Sequence, residues 1–169
     1  MRLISSFALI LALSFIAPQA TRADDKLASI EGYEGYRFGM DVKQADAVRD
    51  DDTAGPCPYP GVYQCLTRPT VIFGEPARVV VQIQEASRRV EQILVEFDRV
   101  RDENTGDECD RTANNILEEL LNQYGHPDTV DQREAVWFGG KGGLMSFTSW
   151  CVNRHKGMVT VAYKQSGLL

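Results

Sequence analysis

Any chemistry in this chain has to come from a small set of side chains. Histidine, the usual acid–base group near neutral pH, occurs twice, as His126 and His155. His155 falls in a turn-like stretch between Arg154 and Lys156, where positive neighbours oppose its protonation. His126 precedes Pro127 directly after a helix end. Ser146 and Ser149 have no histidine at a spacing that would activate them, and there is no G-x-S-x-G elbow. Gly139-Gly140-Lys141-Gly142-Gly143 has the composition of a phosphate-cradling loop. A P-loop, however, needs Ser or Thr after the lysine and then a helix. Gly142 and a β-type run follow instead, which favours a flexible hairpin loop. Asp102-Glu103-Asn104-Thr105-Gly106-Asp107-Glu108 alternates oxygen ligands in the manner of a calcium loop. Gly106 and Ala113 stand where ligands belong, so a solvated loop leading into a helix is the better account. Asp50-Asp51-Asp52 also reads as a solvated loop. No metal site and no cofactor is expected.

The four cysteines say more. Cys57, Cys65, Cys109 and Cys151 form an even set without a C-x-x-C pair, and neither histidine stands at zinc-finger spacing from them. Of the possible pairings, Cys57–Cys65 with Cys109–Cys151 is favoured, because Pro58-Tyr59-Pro60-Gly61 turns the chain between the first two. Disulfides need an oxidising compartment, and the N-terminus carries an export address. Met1-Arg2 precedes an uncharged run from Leu3 to Ala17, and small residues lead to Ala23 before Asp24-Asp25-Lys26. That is the pattern of a signal peptide over residues 1–23, shorter than the roughly 20 apolar residues of a bilayer span. Cleavage near Ala23 leaves one exported domain, 24–169, soluble, periplasmic or secreted, with no membrane span. Two basic residues and no acidic ones leave with the signal, so the net charge falls from −6 to −8. Such a chain lacks the positive footprint of non-specific nucleic-acid binding, and no nucleic-acid partner is expected.

These residues must be positioned by the elements around them. Cys109, Ala113, Ile116, Leu117, Leu120, Leu121 and Tyr124 recur at three- and four-residue steps, which predicts a helix over 107–124. Gly125 stops it and Pro127 follows. Asp41 with Gln44 reads as a capping box opening a helix of about nine residues, with Met40 placed to staple onto Ala45. Three β-rich runs follow each helix: Val62 to Phe73, Val79 to Glu85 and Val90 to Phe97, then Ala135 to Phe138, Leu144 to Cys151 and Met158 to Tyr163. Short loops between them imply antiparallel hairpins. The predicted fold class is α+β: two helix-plus-three-strand units forming an antiparallel sheet with helices on one face. The units make an internal pseudo-repeat over about 36–98 and 107–164.

Phe38-Gly39-Met40-Asp41 opens the short helix, and Tyr124-Gly125-His126-Pro127 closes the long one before a Trp-bearing hairpin. From about Tyr36 onward these motifs resemble two families, the small outer-membrane assembly lipoproteins and the β-lactamase-inhibitor-protein-like domains. The resemblance implies a repeated helix-plus-hairpins unit and the role of an inhibitor or an envelope-assembly accessory protein. The chain departs from the lipoproteins in having no cysteine before Cys57 to carry a lipid, and in the Asp50 to Pro60 stretch after its first helix.

Alternation within the strands assigns their faces. Val79, Val81 and Ile83; Ile93, Val95 and Phe97; Met145 and Phe147; and Val159, Val161 and Tyr163 fall on the core side, and Trp137 is placed with them. The other face presents Gln82, Gln84, Gln92, Glu96, Ser146, Thr148, Trp150 and Thr160. A solvated sheet face carries polar residues by default, but one aromatic among hydrogen-bonding side chains is the pattern of an interface anchor. The expected function is an exported, non-enzymatic binding module that holds a protein partner of the cell envelope with these residues. The competing expectation is a small hydrolase or metal-dependent enzyme using Asp/Glu groups with His126 or His155.

Overall fold

The computed structural model describes residues 30–97, 108–153 and 156–165. The predicted signal peptide, the acidic stretch from Asp102 to Asp107 and His155 lie outside these residues. A hairpin of β1 (Gly32–Tyr33) and β2 (Tyr36–Arg37) precedes α1 (Val42–Asp46). Four strands follow: β3 (Thr53–Gly55), β4 (Val62–Ile72), β5 (Glu75–Gln84) and β6 (Val90–Phe97). Then come α2 (Glu108–Tyr124), β7 (Thr129–Asp131), β8 (Glu134–Phe138), β9 (Gly143–Asn153) and β10 (Lys156–Gln165). β3 to β10 form one eight-stranded sheet in the order β3-β4-β5-β6-β10-β9-β8-β7. Every pairing in it is antiparallel, and its two meanders meet where β6 pairs with β10, Val95 opposite Val161.

The core lies where alternation put it. Every side chain assigned to the core face of the strands is buried, and they cluster with Cys109, Ala113, Ile116 and Leu120 from one stripe of α2. Trp137 is fully buried and donates its indole N–H to Gly125 O at 3.0 Å. Gly125 ends α2 in the left-handed conformation (φ +80°), its N–H on Leu121 O at 2.9 Å. The Cys109–Cys151 disulfide ties the start of α2 to β9, and Cys57–Cys65 ties a loop back to β4. Both are the favoured pairs.

The α+β expectation is overturned. The chain is mostly β, with ten strands and two helices among the described residues, and it is not two helix-plus-three-strand units. The capping box of α1 is present, with Gln44 N–H on Asp41 Oδ1 at 2.9 Å and Asp41 N–H on Gln44 Oε1 at 3.0 Å. Yet α1 has 5 residues rather than nine, and Ala45 is its one buried side chain. Val48 N–H already bonds Ala45 O, so the chain is turning away. A single turn makes no helical layer. The strands missing from the sequence reading, β1, β2, β3 and β7, have two or three residues each, too few to show a period of two. β3 and β7 give each half of the sheet a fourth strand.

The Gly139–Gly143 loop is not a free hairpin end either. A Cβ on Gly143 would sit 1.6 Å from Ile30 O, and one on Gly139 would sit 2.8 Å from Ile30 Cβ. The loop is glycine-rich because it closes over the incoming chain at the buried Ile30, its ends joined by Gly139 N–H to Gly143 O at 2.9 Å.

Candidate functional site

The register sets the eight outer-face residues in rows across the strands. Glu96 stands opposite Thr160, and Thr160 opposite Thr148. Ser146 and Trp150 flank Thr148 on β9, two residues away on either side. Gln82 pairs with Gln92, and Gln84 stands at the end of β5 opposite Val62. The structure thus brings Glu96, Thr148, Thr160, Ser146 and Trp150 together, and sets the three glutamines apart.

What separates the two groups is apolar. In the intervening row, which Ser146 continues opposite Ala162, Val80, Leu94 and Ala162 are buried with Cys65 in a small second cluster. Cys57, Tyr59 and Val62 pack over it. The roof is fastened twice. Cys57–Cys65 holds its start to β4 with Cα atoms 5.0 Å apart. Tyr59 donates its hydroxyl to Glu96 Oε1, while Arg78 Nε donates to Glu96 Oε2 at 3.0 Å. Burial and the Glu96 carboxylate push the Tyr59 hydroxyl up to about 12. Glu96 is therefore engaged inside the molecule, and Gln82 and Ser146 are buried.

The open part of the face is the β9–β10 end. Trp150 and Met158 are register partners and stand 51% and 53% exposed. The Arg133 guanidinium lies over the Trp150 ring, 5.6 Å from its centroid. Thr160 Oγ1 is buried beside them with no hydrogen-bond partner among the described residues, and Glu134 stands opposite Thr148. Met158 was not among the expected site residues. Its parity with Thr160 on β10 was the signal that places it on this face.

A second polar constellation lies on the other face. Arg68, 6% exposed, ion-pairs with Glu34 and with Asp52 Oδ1 at 3.4 Å, and approaches Asp51 Oδ1 at 3.9 Å. Arg49 bridges Asp51 at 3.2 Å and Glu34 at 3.8 Å. The Asp52 side chain is 7% exposed, so the Asp50–Asp52 run is not simply a solvated loop. Burial pushes the Asp52 carboxyl up against the pull of Arg68. The sequence did carry a sign of this: Arg68 occupies a core-side position of β4, opposite Val79. Nearby, Tyr33 stacks on Tyr163 at 4.9 Å, and burial raises both hydroxyls.

His126 is exposed beside Pro127. Among the described residues no three His, Cys, Asp or Glu side chains converge as metal ligands would, and no helix is long and apolar enough to cross a membrane. The two disulfides are consistent with an extracytoplasmic location. No protein family, curated protein or solved structure matches the chain.

Proposed function

We propose that the chain is an exported, non-enzymatic binding module that holds a protein partner at the Trp150–Met158 end of its outer sheet face. The observation that carries this reading is the pairing of two large, half-exposed apolar side chains in register on neighbouring strands. Tryptophan held beneath an arginine is a rigid anchor that loses little side-chain freedom on binding. Beside it the Thr160 hydroxyl is buried with no hydrogen-bond partner among the described residues. Export is supported by the N-terminal pattern of Met1 to Ala23 and by the two disulfides.

A photo-crosslinking residue at position 150 of the full chain, expressed in its own envelope, should give a discrete protein adduct. The same residue at Glu118, exposed on α2, should give none. Trp150→Ala and Met158→Ser should abolish co-purification of the captured protein and leave the melting temperature unchanged. A hydrolase in the adduct would identify an inhibitor, and an envelope-assembly component an accessory protein. Equal crosslinking at both positions, or unfolding of Trp150→Ala, would refute the reading.

A further inference from the structure

A cavity of about 210 Å³ lies between α2 and the sheet, on the face opposite Trp150. Its floor is Val95 and Phe97 of β6 with Val161 of β10, and Leu120 of α2 is its wall. The stacked rings of Tyr33 and Tyr163 close one side, and α2 contributes one hydrogen-bonding side chain among the described residues, Gln123. Among the described residues no charged side chain lines it. A dry cavity of about 150 Å³ takes a benzene ring, so this space holds a ring with a substituent.

The mouth is formed by an unusual residue. Phe73 and Gly74 make the two-residue turn between β4 and β5, both in the left-handed region at φ 53° and 78°. Such turns are built from Asn, Asp or Gly, because a side chain there is strained. Phenylalanine is a poor choice for the turn, and its ring is not part of the buried core. It stays 39% exposed and lines the cavity entrance. Strain kept at an exposed apolar residue points to a contact that the isolated chain does not make.

We propose that this cavity is a binding site for a small uncharged aromatic molecule, with Phe73 as its outer wall. Four of the lining side chains are aromatic, and rings pack edge-to-face or offset against a further ring. The site lies by the carboxyl end of α2, whose last turn has no basic residue. That end carries partial negative charge, so an anionic group gains nothing there and an uncharged ring is selected over an aromatic acid. The site lies on the opposite face from the protein-binding surface and does not depend on it.

The probe is toluene, titrated into the full mature protein with methyl-labelled Val, Leu and Ile and followed by NMR. The methyls of Val95, Leu120 and Val161 should shift saturably, while Val80, buried on the other face, should not. Benzoate, which has a ring of the same size and a negative charge, should bind at least tenfold more weakly. Phe73→Gly suits the turn better and should keep the fold, yet weaken toluene binding at least fivefold. Absence of saturable shifts at the three methyls, equal binding of benzoate, or unchanged affinity in Phe73→Gly would overturn the proposal.

Discussion

The Cys109–Cys151 bridge makes one substitution conditional on another. Gly157 pairs with Cys151 in the β9–β10 ladder, and a Cβ at Gly157 would stand 2.0 Å from Cys109 Sγ. That sulfur is bonded to the strand beside it and has little freedom to withdraw. Gly157→Ala should therefore cost about 1–3 kcal/mol, as overpacking does. Replacing Cys109 and Cys151 by alanine opens a loop of 42 residues, and the chain-entropy relation puts that loss at about 4 kcal/mol. It also removes the obstruction. The next atoms that a Cβ at position 157 meets are Cys109 Cβ at 3.1 Å and Trp150 O at 3.2 Å, which a shift of a few tenths of an ångström accommodates. Glycine inside a strand is itself worse than alanine by roughly 0.5–1 kcal/mol. In the disulfide-free background Gly157→Ala should be neutral or slightly stabilising. Urea unfolding of the wild type, Gly157→Ala, the double cysteine variant and the triple variant closes the cycle, and the coupling energy should be about 1–3 kcal/mol. Additive costs would show that the sulfur does not constrain Gly157 and would refute the reasoning.

Two further outcomes rest on the ionic groups. Arg68→Met leaves Asp52 buried without its cation and should cost about 3 kcal/mol at neutral pH, the low end for a broken buried pair because Glu34 and Asp51 are partly solvated. Burial already raises the Asp52 carboxyl, and a group whose folded-state pKa is raised gains stability as it takes up a proton. The deficit should shrink as pH falls through that raised value; a urea midpoint deficit that is constant or grows on acidification would contradict this. Tyr59 should titrate at about 12 rather than the ordinary 10 in the folded protein. Its contribution to stability is complete below 10 and is lost as pH rises through 12. Tyrosinate absorbance should lose a late step, and alkaline stability should fall, in Tyr59→Phe.

The parts legible in the sequence are those where one period repeats long enough to be read. α2 declares itself through Cys109, Ala113, Ile116 and Leu120, and β5, β6 and β10 through alternate apolar residues such as Val79 and Val81, Ile93 and Val95, and Val159 and Val161. The pairing of Cys57 with Cys65 was readable from Pro58 to Gly61, since a turn-rich loop joins neighbours. The short strands β1, β2, β3 and β7 were not, because two or three residues carry no period. They are strands only because β4, β8 and each other offer a hydrogen-bonding edge, which is a tertiary fact. The Arg68 cluster was hidden for the same reason. Glu34, Asp51 and Arg68 are far apart in sequence, and a run of aspartates looks solvated until something cationic is buried against it.

The outer face shows what alternation leaves out. Period two says which side chains share a face and nothing about what covers that face. Val80, Leu94 and Ala162 share it with the glutamines and threonines, and a sheet carrying one long helix needs other means to bury them. The fold uses the Cys57–Tyr59 loop, held down by a disulfide to β4 and by the Tyr59–Glu96–Arg78 chain of contacts. A loop this short has no core of its own, so the covalent tie supplies what packing cannot. Among the described residues this device does not extend to the β9–β10 end, where Trp150 and Met158 stand about half exposed. Apolar surface that the chain covers in one place and leaves bare two rows away is a contrast within one sheet face, and that contrast, more than the presence of a tryptophan, is what supports the proposal of a protein partner there.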